Sequence, residues 1–129
     1  MRHAFALAVT LATLAAAPAR AQDAGDPAAG QRVFNQCRAC HVVENNGRNG
    51  VGPNLHGVVG RRAASIEGFR YSQNMRSLGE QNHTWTEQNL RAYLRNPKDV
   101  APQGTMAFPG LRNDQQLNDV IAYLKTQAG

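Results

Sequence analysis

The sequence predicts an all-α domain in which a few helices are joined by long loops. Three segments carry capped helical periodicity, and no segment alternates as a strand would. Residues 42–83 are too poor in hydrophobes to build a core alone. Asp26-Pro27-Ala28 opens the first helix as an N-cap followed by proline at the first helical position, carrying Val33 and Phe34 towards two cysteines. From His41 to Gly79 the chain is rich in Gly, Asn and Arg without sustained period, and it reads as loops. So long an irregular stretch in a small domain implies an organiser other than side chains. Thr84-Trp85-Thr86-Glu87 fits a capping box with Thr84 as the cap, and Leu90, Tyr93 and Leu94 form the stripe of a second helix. Asn96-Pro97 ends it, because proline disfavours helical geometry in the residue before it. Pro102 to Gly110 is a loop, and Asn113-Asp114-Gln115-Gln116 starts a last helix with Leu117, Val120, Ile121 and Leu124 on one face.

Composition narrows the function classes. The chain has 129 residues, 42% hydrophobic and 18% charged, which suits one domain. No apolar run reaches the ~18 residues of a membrane-spanning helix. Two cysteines are too few for a disulfide framework or a four-cysteine zinc ribbon. Aromatics make up 6% and no Lys/Arg block exists, so a nucleic-acid module is not expected.

Residues 1–21 read as a cleaved signal peptide, with a positive start at Met1-Arg2-His3, an apolar stretch from Ala4 to Ala17, and Ala19-Arg20-Ala21 as the cleavage pattern. A mitochondrial presequence would be richer in Arg and Ser, and the apolar stretch is too short for an anchor. Export would leave residues 22–129 as the folded domain. Arg2 and Arg20 would leave with the leader, reducing the formal +5 by two. The remaining basic excess is mild and biases encounters towards acidic partners.

Cys37-Arg38-Ala39-Cys40-His41 carries the chemistry. Two residues between the thiols space them for the two vinyl groups of one haem, and the adjacent histidine is placed as an axial iron ligand. A thioredoxin-like motif would follow a strand in a βαβ unit, a disulfide here would close a small strained ring, and zinc would need two more ligands. Covalent haem also accounts for the loops, since its plane offers the apolar surface that residues 42–83 lack. Candidates for the sixth ligand are Met75, Met106, His56, His83, Lys98 and Lys125. Met106 lies in the Gly- and Pro-punctuated segment Pro102-Gln103-Gly104-Thr105-Met106-Ala107-Phe108-Pro109-Gly110, which can hold a thioether at little entropic cost. Met75 reads as packing, and His56 as a loop or core histidine.

With these motifs in order, residues Gly25 to Lys125 resemble a class I cytochrome c of the cytochrome c2 type. The matching stretches are Gly30…Phe34, Cys37 to His41, Gly52-Pro53-Asn54-Leu55-His56-Gly57, Gly60-Arg61, Gly68-Phe69-Arg70-Tyr71, Thr84-Trp85, Tyr93 to Lys98, Met106 and Ile121 to Lys125. The resemblance implies a small cytochrome c fold, with helices and long loops wrapped around one covalent haem c. It implies thioethers at Cys37 and Cys40, with iron bound by His41 and Met106. The Pro53 carbonyl would orient the ligand histidine. Arg61, Tyr71 and Trp85 would hold a haem propionate, and the Tyr93 hydroxyl would sit near the distal sulfur. Gly30, Phe34, Val120 and Tyr123 would form the crossing of the first and last helices. Without the resemblance, the residues do not choose between Arg61 and Arg62, and Trp85 and Tyr93 are ordinary buried aromatics.

This chain departs from the pattern in several places. Pro102-Gln103-Gly104-Thr105-Met106 stands where the family commonly has Pro-Gly-Thr-Lys-Met, leaving Lys98 as the nearby candidate for a replacement ligand at high pH. Met75 stands at the family's internal asparagine, with Asn74 one step earlier, and a few extra residues precede Trp85. Docking lysines are largely missing, so Arg38 and other arginines are expected in that role. The implied function is one-electron transport in the periplasm by a soluble monomer that is not an enzyme. Its partners would be redox proteins: a cytochrome bc1-type complex, terminal oxidase, photosynthetic reaction centre or dehydrogenase, met in transient contact with membrane complexes.

Overall fold

A computed structural model describes residues 25–129, so the leader read at residues 1–21 lies outside the described residues. Five helices form among those residues: α1 (Pro27–Phe34), α2 (Gln73–Glu80), α3 (Glu87–Arg95), α4 (Pro97–Val100) and α5 (Asp114–Thr126). None of the described helices is long and apolar enough to cross a membrane. The only β-type pairing among the described residues is an isolated antiparallel bridge between Arg62 and Thr84.

Helix α1 starts as expected, with the Asp26 carboxylate accepting from the Ala28 amide at 3.0 Å. Helix α5 starts at Asn113, which accepts from the Gln116 amide at 3.0 Å. Helix α3 begins two residues later than the capping box implied. Thr84 is taken up by the bridge to Arg62, so Thr86 is the cap and accepts from the Asn89 amide at 3.1 Å. Pro97 does end α3, and with its fixed φ it then opens the single turn of α4.

Two expectations need correction. The stretch read as loops contains α2, capped by Ser72, whose hydroxyl accepts from the Met75 amide at 3.1 Å. Tertiary contact stabilises this polar helix: Gly79 packs against the Ala63 backbone, and the Arg62 guanidinium donates to the Gly79 carbonyl at 2.9 Å. The segment 42–83 also supplies core side chains, since Val43, Val58 and Ala63 are fully buried with the helical residues.

Helices α1 and α5 cross at Gly30. A Cβ there would overlap the Asp119 carbonyl and come within 2.8 Å of the Tyr123 Cβ. Beside this contact, the Phe34 and Tyr123 rings lie 5.4 Å apart. Phe34, Leu117 and Val120 are completely covered, each burial contributing about 1.5–3 kcal/mol. Asp119 is also buried; its carboxylate accepts from the Asp26 amide and from the Gln115 side chain, both at 2.8 Å. The last helix therefore caps the entrance of the first.

Substituting Gly30→Ala should force the two helix backbones apart and lower the unfolding free energy by about 1–3 kcal/mol. Denaturant titration would show a lower midpoint with an unchanged slope.

Candidate haem site

Cys37, Cys40 and His41 sit on the turn that continues α1. The Cys40 amide donates to the Cys37 carbonyl at 3.1 Å and the His41 amide to the same oxygen at 2.9 Å, which holds the three side chains on one tight bend. Both thiols are free; Cys40 is exposed and Cys37 is half-buried. Burial, reinforced by the Cys40 sulfur, pushes the Cys37 thiol up to about 11.

His41 is fixed from two sides. Its Nδ1 lies 2.7 Å from the Pro53 carbonyl and donates to it, which leaves Nε2 as the lone-pair nitrogen suited to iron. Gly52 lies against the ring, where a Cβ would come within 2.8 Å of Nε2. Burial holds the imidazole below its ordinary pKa, opposed by the Pro53 bond and assisted by Arg61. A neutral, oriented imidazole results.

The loop carrying Pro53 is organised by Asn54. Its side-chain amide donates to the Glu44 and Arg48 carbonyls at 3.0 and 2.8 Å, and its oxygen accepts from the His56 amide at 2.7 Å. Sequence reasoning assigned Asn54 no role, and an asparagine among glycines gives no sign that it will be buried.

Arg61 and Trp85 are brought together by the backbone, the Trp85 amide donating to the Arg61 carbonyl at 2.8 Å. The Arg61 guanidinium donates to the His56 and Asn54 carbonyls at 3.1 and 2.9 Å, and burial pushes its pKa down. Neutral carbonyls fix this cation without compensating its charge, so the site is suited to an anionic group such as a propionate. Arg62 points elsewhere, to Gly79. Tyr71 uses its hydroxyl oxygen to accept from the Ile66 amide at 3.1 Å, keeping its proton available for another acceptor.

Trp85 and Tyr93 stack with ring centroids 5.0 Å apart. The Tyr93 hydroxyl, kept protonated by burial, lies 3.9 Å from the Met106 sulfur. The other ligand candidates are engaged differently. Met75 packs against the core, and His56 presents its two nitrogens to the Val43 and Gly129 carbonyls at 3.2 and 3.1 Å. Lys125 pairs with Glu87 at 2.5 Å, and Lys98 donates to the Gly104 carbonyl at 2.6 Å. His83 packs edge-on against Trp85 with a buried Nε2 that finds no partner among the described residues. Arg38 is exposed; it pairs with Glu44 at 3.1 Å, reaches the Tyr123 hydroxyl at 3.3 Å and lies over the Phe34 ring.

Two thiols, an oriented imidazole, an uncompensated guanidinium and a half-buried thioether fit the thioethers, iron and propionates of a haem. They define a c-type haem protein. A family model described as Cytochrome c matches residues 27–128, and the chain belongs to that family. It is 49% identical over 111 residues to cytochrome c2 of Rhodomicrobium vannielii, covering 86% of each chain. It is 43% identical over 122 residues to cytochrome c-554 of Methylosinus trichosporium, covering 90% of each. Among solved structures, cytochrome c2 from Rhodospirillum centenum aligns with a TM-score of 0.76 at 37% identity, covering 81% of this chain and all of that one. Cytochrome cH from Methylobacterium extorquens aligns with a TM-score of 0.71 at 41% identity, covering 79% and 99%. The protein carries one covalent haem c and is an electron carrier that works with other redox proteins, not an enzyme.

Gly52→Ala should displace the His41 ring and weaken its bond to Pro53, costing about 1–3 kcal/mol of stability. The haem-to-protein ratio of purified material should fall below that of wild type.

Proposed function

We propose that the mature domain, residues 22–129, is a soluble periplasmic monomer that holds haem iron between His41 and Met106 and shuttles single electrons. The observation that carries this reading is the pair of fixed ligand groups: His41 oriented by Pro53, and the Met106 sulfur facing the Tyr93 hydroxyl. When bound, the haem supplies the ferrous/ferric couple. Cys37 and Cys40 tether it, and Arg61, Tyr71 and Trp85 surround a propionate.

The chain's own groups set the chemistry. A neutral His41 and a neutral thioether from Met106 add no charge to the iron, and His/Met ligation favours the reduced state. With Met106 as a ligand, the iron would offer no place to oxygen or peroxide, which suits transport over catalysis. Half-buried Arg61 disfavours a further positive charge nearby and so also favours the ferrous form. The donors and acceptors that suit such a carrier are a cytochrome bc1-type complex, terminal oxidase, photosynthetic reaction centre or dehydrogenase. Contact with membrane complexes would be brief, with charge setting the on-rate.

Ferrous wild-type protein should bind no carbon monoxide at neutral pH, while Met106→Ala should bind it stoichiometrically. Rapid wild-type binding would exclude a closed sixth position. In stopped-flow oxidation by a candidate oxidase, the rate should change with ionic strength, and a flat rate would remove charge-guided docking. Arg61→Met should lower the reduction potential and, by leaving two carbonyls without a donor, cost about 1–3 kcal/mol of stability.

A further inference from the structure

The segment bearing Met106 is held at its two ends and hardly between them. Among the described residues, the backbone of residues 105–110 makes no backbone–backbone hydrogen bond. Downstream, the Leu111 amide donates to the Leu94 carbonyl at 2.8 Å. Upstream, the Gly104 amide closes a turn onto the Ala101 carbonyl at 2.9 Å. That turn is tied to the rest of the molecule by two side chains. Asn74, in α2, accepts from the Gln103 amide at 2.5 Å. Lys98, in α4, donates to the Gly104 carbonyl at 2.6 Å. The ties come from different helices and close on consecutive residues, two and three positions before Met106. Beyond them, the polar contact of Met106 among the described residues is the 3.9 Å approach to Tyr93.

We propose that Asn74 and Lys98 are positioning residues for Met106, strapping the turn at Gln103-Gly104 and thereby setting how often the sulfur leaves its place and admits a small neutral base. This rests on Met106 being the sixth ligand. Neither side chain touches the sulfur; each acts through the backbone that carries it. Swinging the loop outward breaks both straps along with the sulfur contact. Removing a strap therefore lowers the cost of opening and leaves the α1–α5 core untouched. Lys98 is then a fastener of the closed loop, its ammonium already committed to a carbonyl.

The test uses ferric holoprotein and imidazole as the entering base. Asn74→Ala and Lys98→Met should each raise the imidazole association rate about three- to tenfold, and the double variant should raise it further. Asn74→Asp keeps an acceptor oxygen and should restore the wild-type rate. The midpoint of global denaturant unfolding should stay close to that of wild type. In the ferrous protein, exchange of the Gln103 amide hydrogen should accelerate in Asn74→Ala. If the variants bind imidazole at the wild-type rate, or the Gln103 amide exchanges unchanged, the straps do not position Met106. The methionine–ferric charge-transfer band of wild type reads the ligand assignment separately. Its absence would overturn the Met106 ligation and this proposal together, whereas its presence with unresponsive variants would overturn the straps alone.

Discussion

The close approach of α1 to α5 at Gly30 is the constraint on which the site depends. The haem-binding turn has no strand or disulfide to hold it; it is the continuation of α1, and α1 is short. Its direction is set where the absent glycine side chain lets backbone meet backbone at Asp119, and where the buried Asp119 carboxylate takes the Asp26 amide. From that contact Phe34 reaches the core, and the next turn delivers both thiols and the His41 imidazole. Arg38 stiffens the junction by reaching α5 through the Tyr123 hydroxyl while lying over Phe34.

Around this anchor, much of the site is built from carbonyl oxygens. One from Pro53 orients His41, and two from Asn54 and His56 hold the Arg61 guanidinium. Backbone groups of an irregular segment need partners wherever they are buried. Here the same requirement that satisfies the loops also aims the functional side chains. The 42–83 segment is also held by protein groups, through Asn54, the bridge of Arg62 to Thr84, and the packing of α2.

The apolar stripes of α3 and α5 and the caps of α1 and α5 were legible, because aspartate and asparagine at the caps, and proline after the first, act on the adjoining backbone. Helix α2 was not: Met75 and Leu78 are its only large apolar residues, and its support comes from Ala63 and Arg62. The sole local sign was Ser72 three residues ahead of Met75. Thr84 shows the opposite error, a good local cap taken up instead by an isolated bridge to Arg62. The resemblance placed the paired site residues, and the geometry brings Arg61 to Trp85, Trp85 to Tyr93 and Tyr93 to Met106. The Arg61 and Arg62 guanidiniums diverge because their acceptors lie 5 to 17 residues away.

By itself the sequence determined what a short window can encode: helix starts and stops, the three-residue separation of Cys37 and Cys40, and a histidine beside them. Those features depend on bonds and periodicities within a few residues. The tertiary structure alone decided which charges are spent and on what, because the partners lie from 6 to 85 residues away along the chain. It committed Arg38 to Glu44 and Tyr123, Lys98 to Gly104, and Asn74 to Gln103, while leaving Arg61 without a counter-ion among the described residues. A side chain's role follows from the partner it meets, and the path of loops and helices brings that partner within reach.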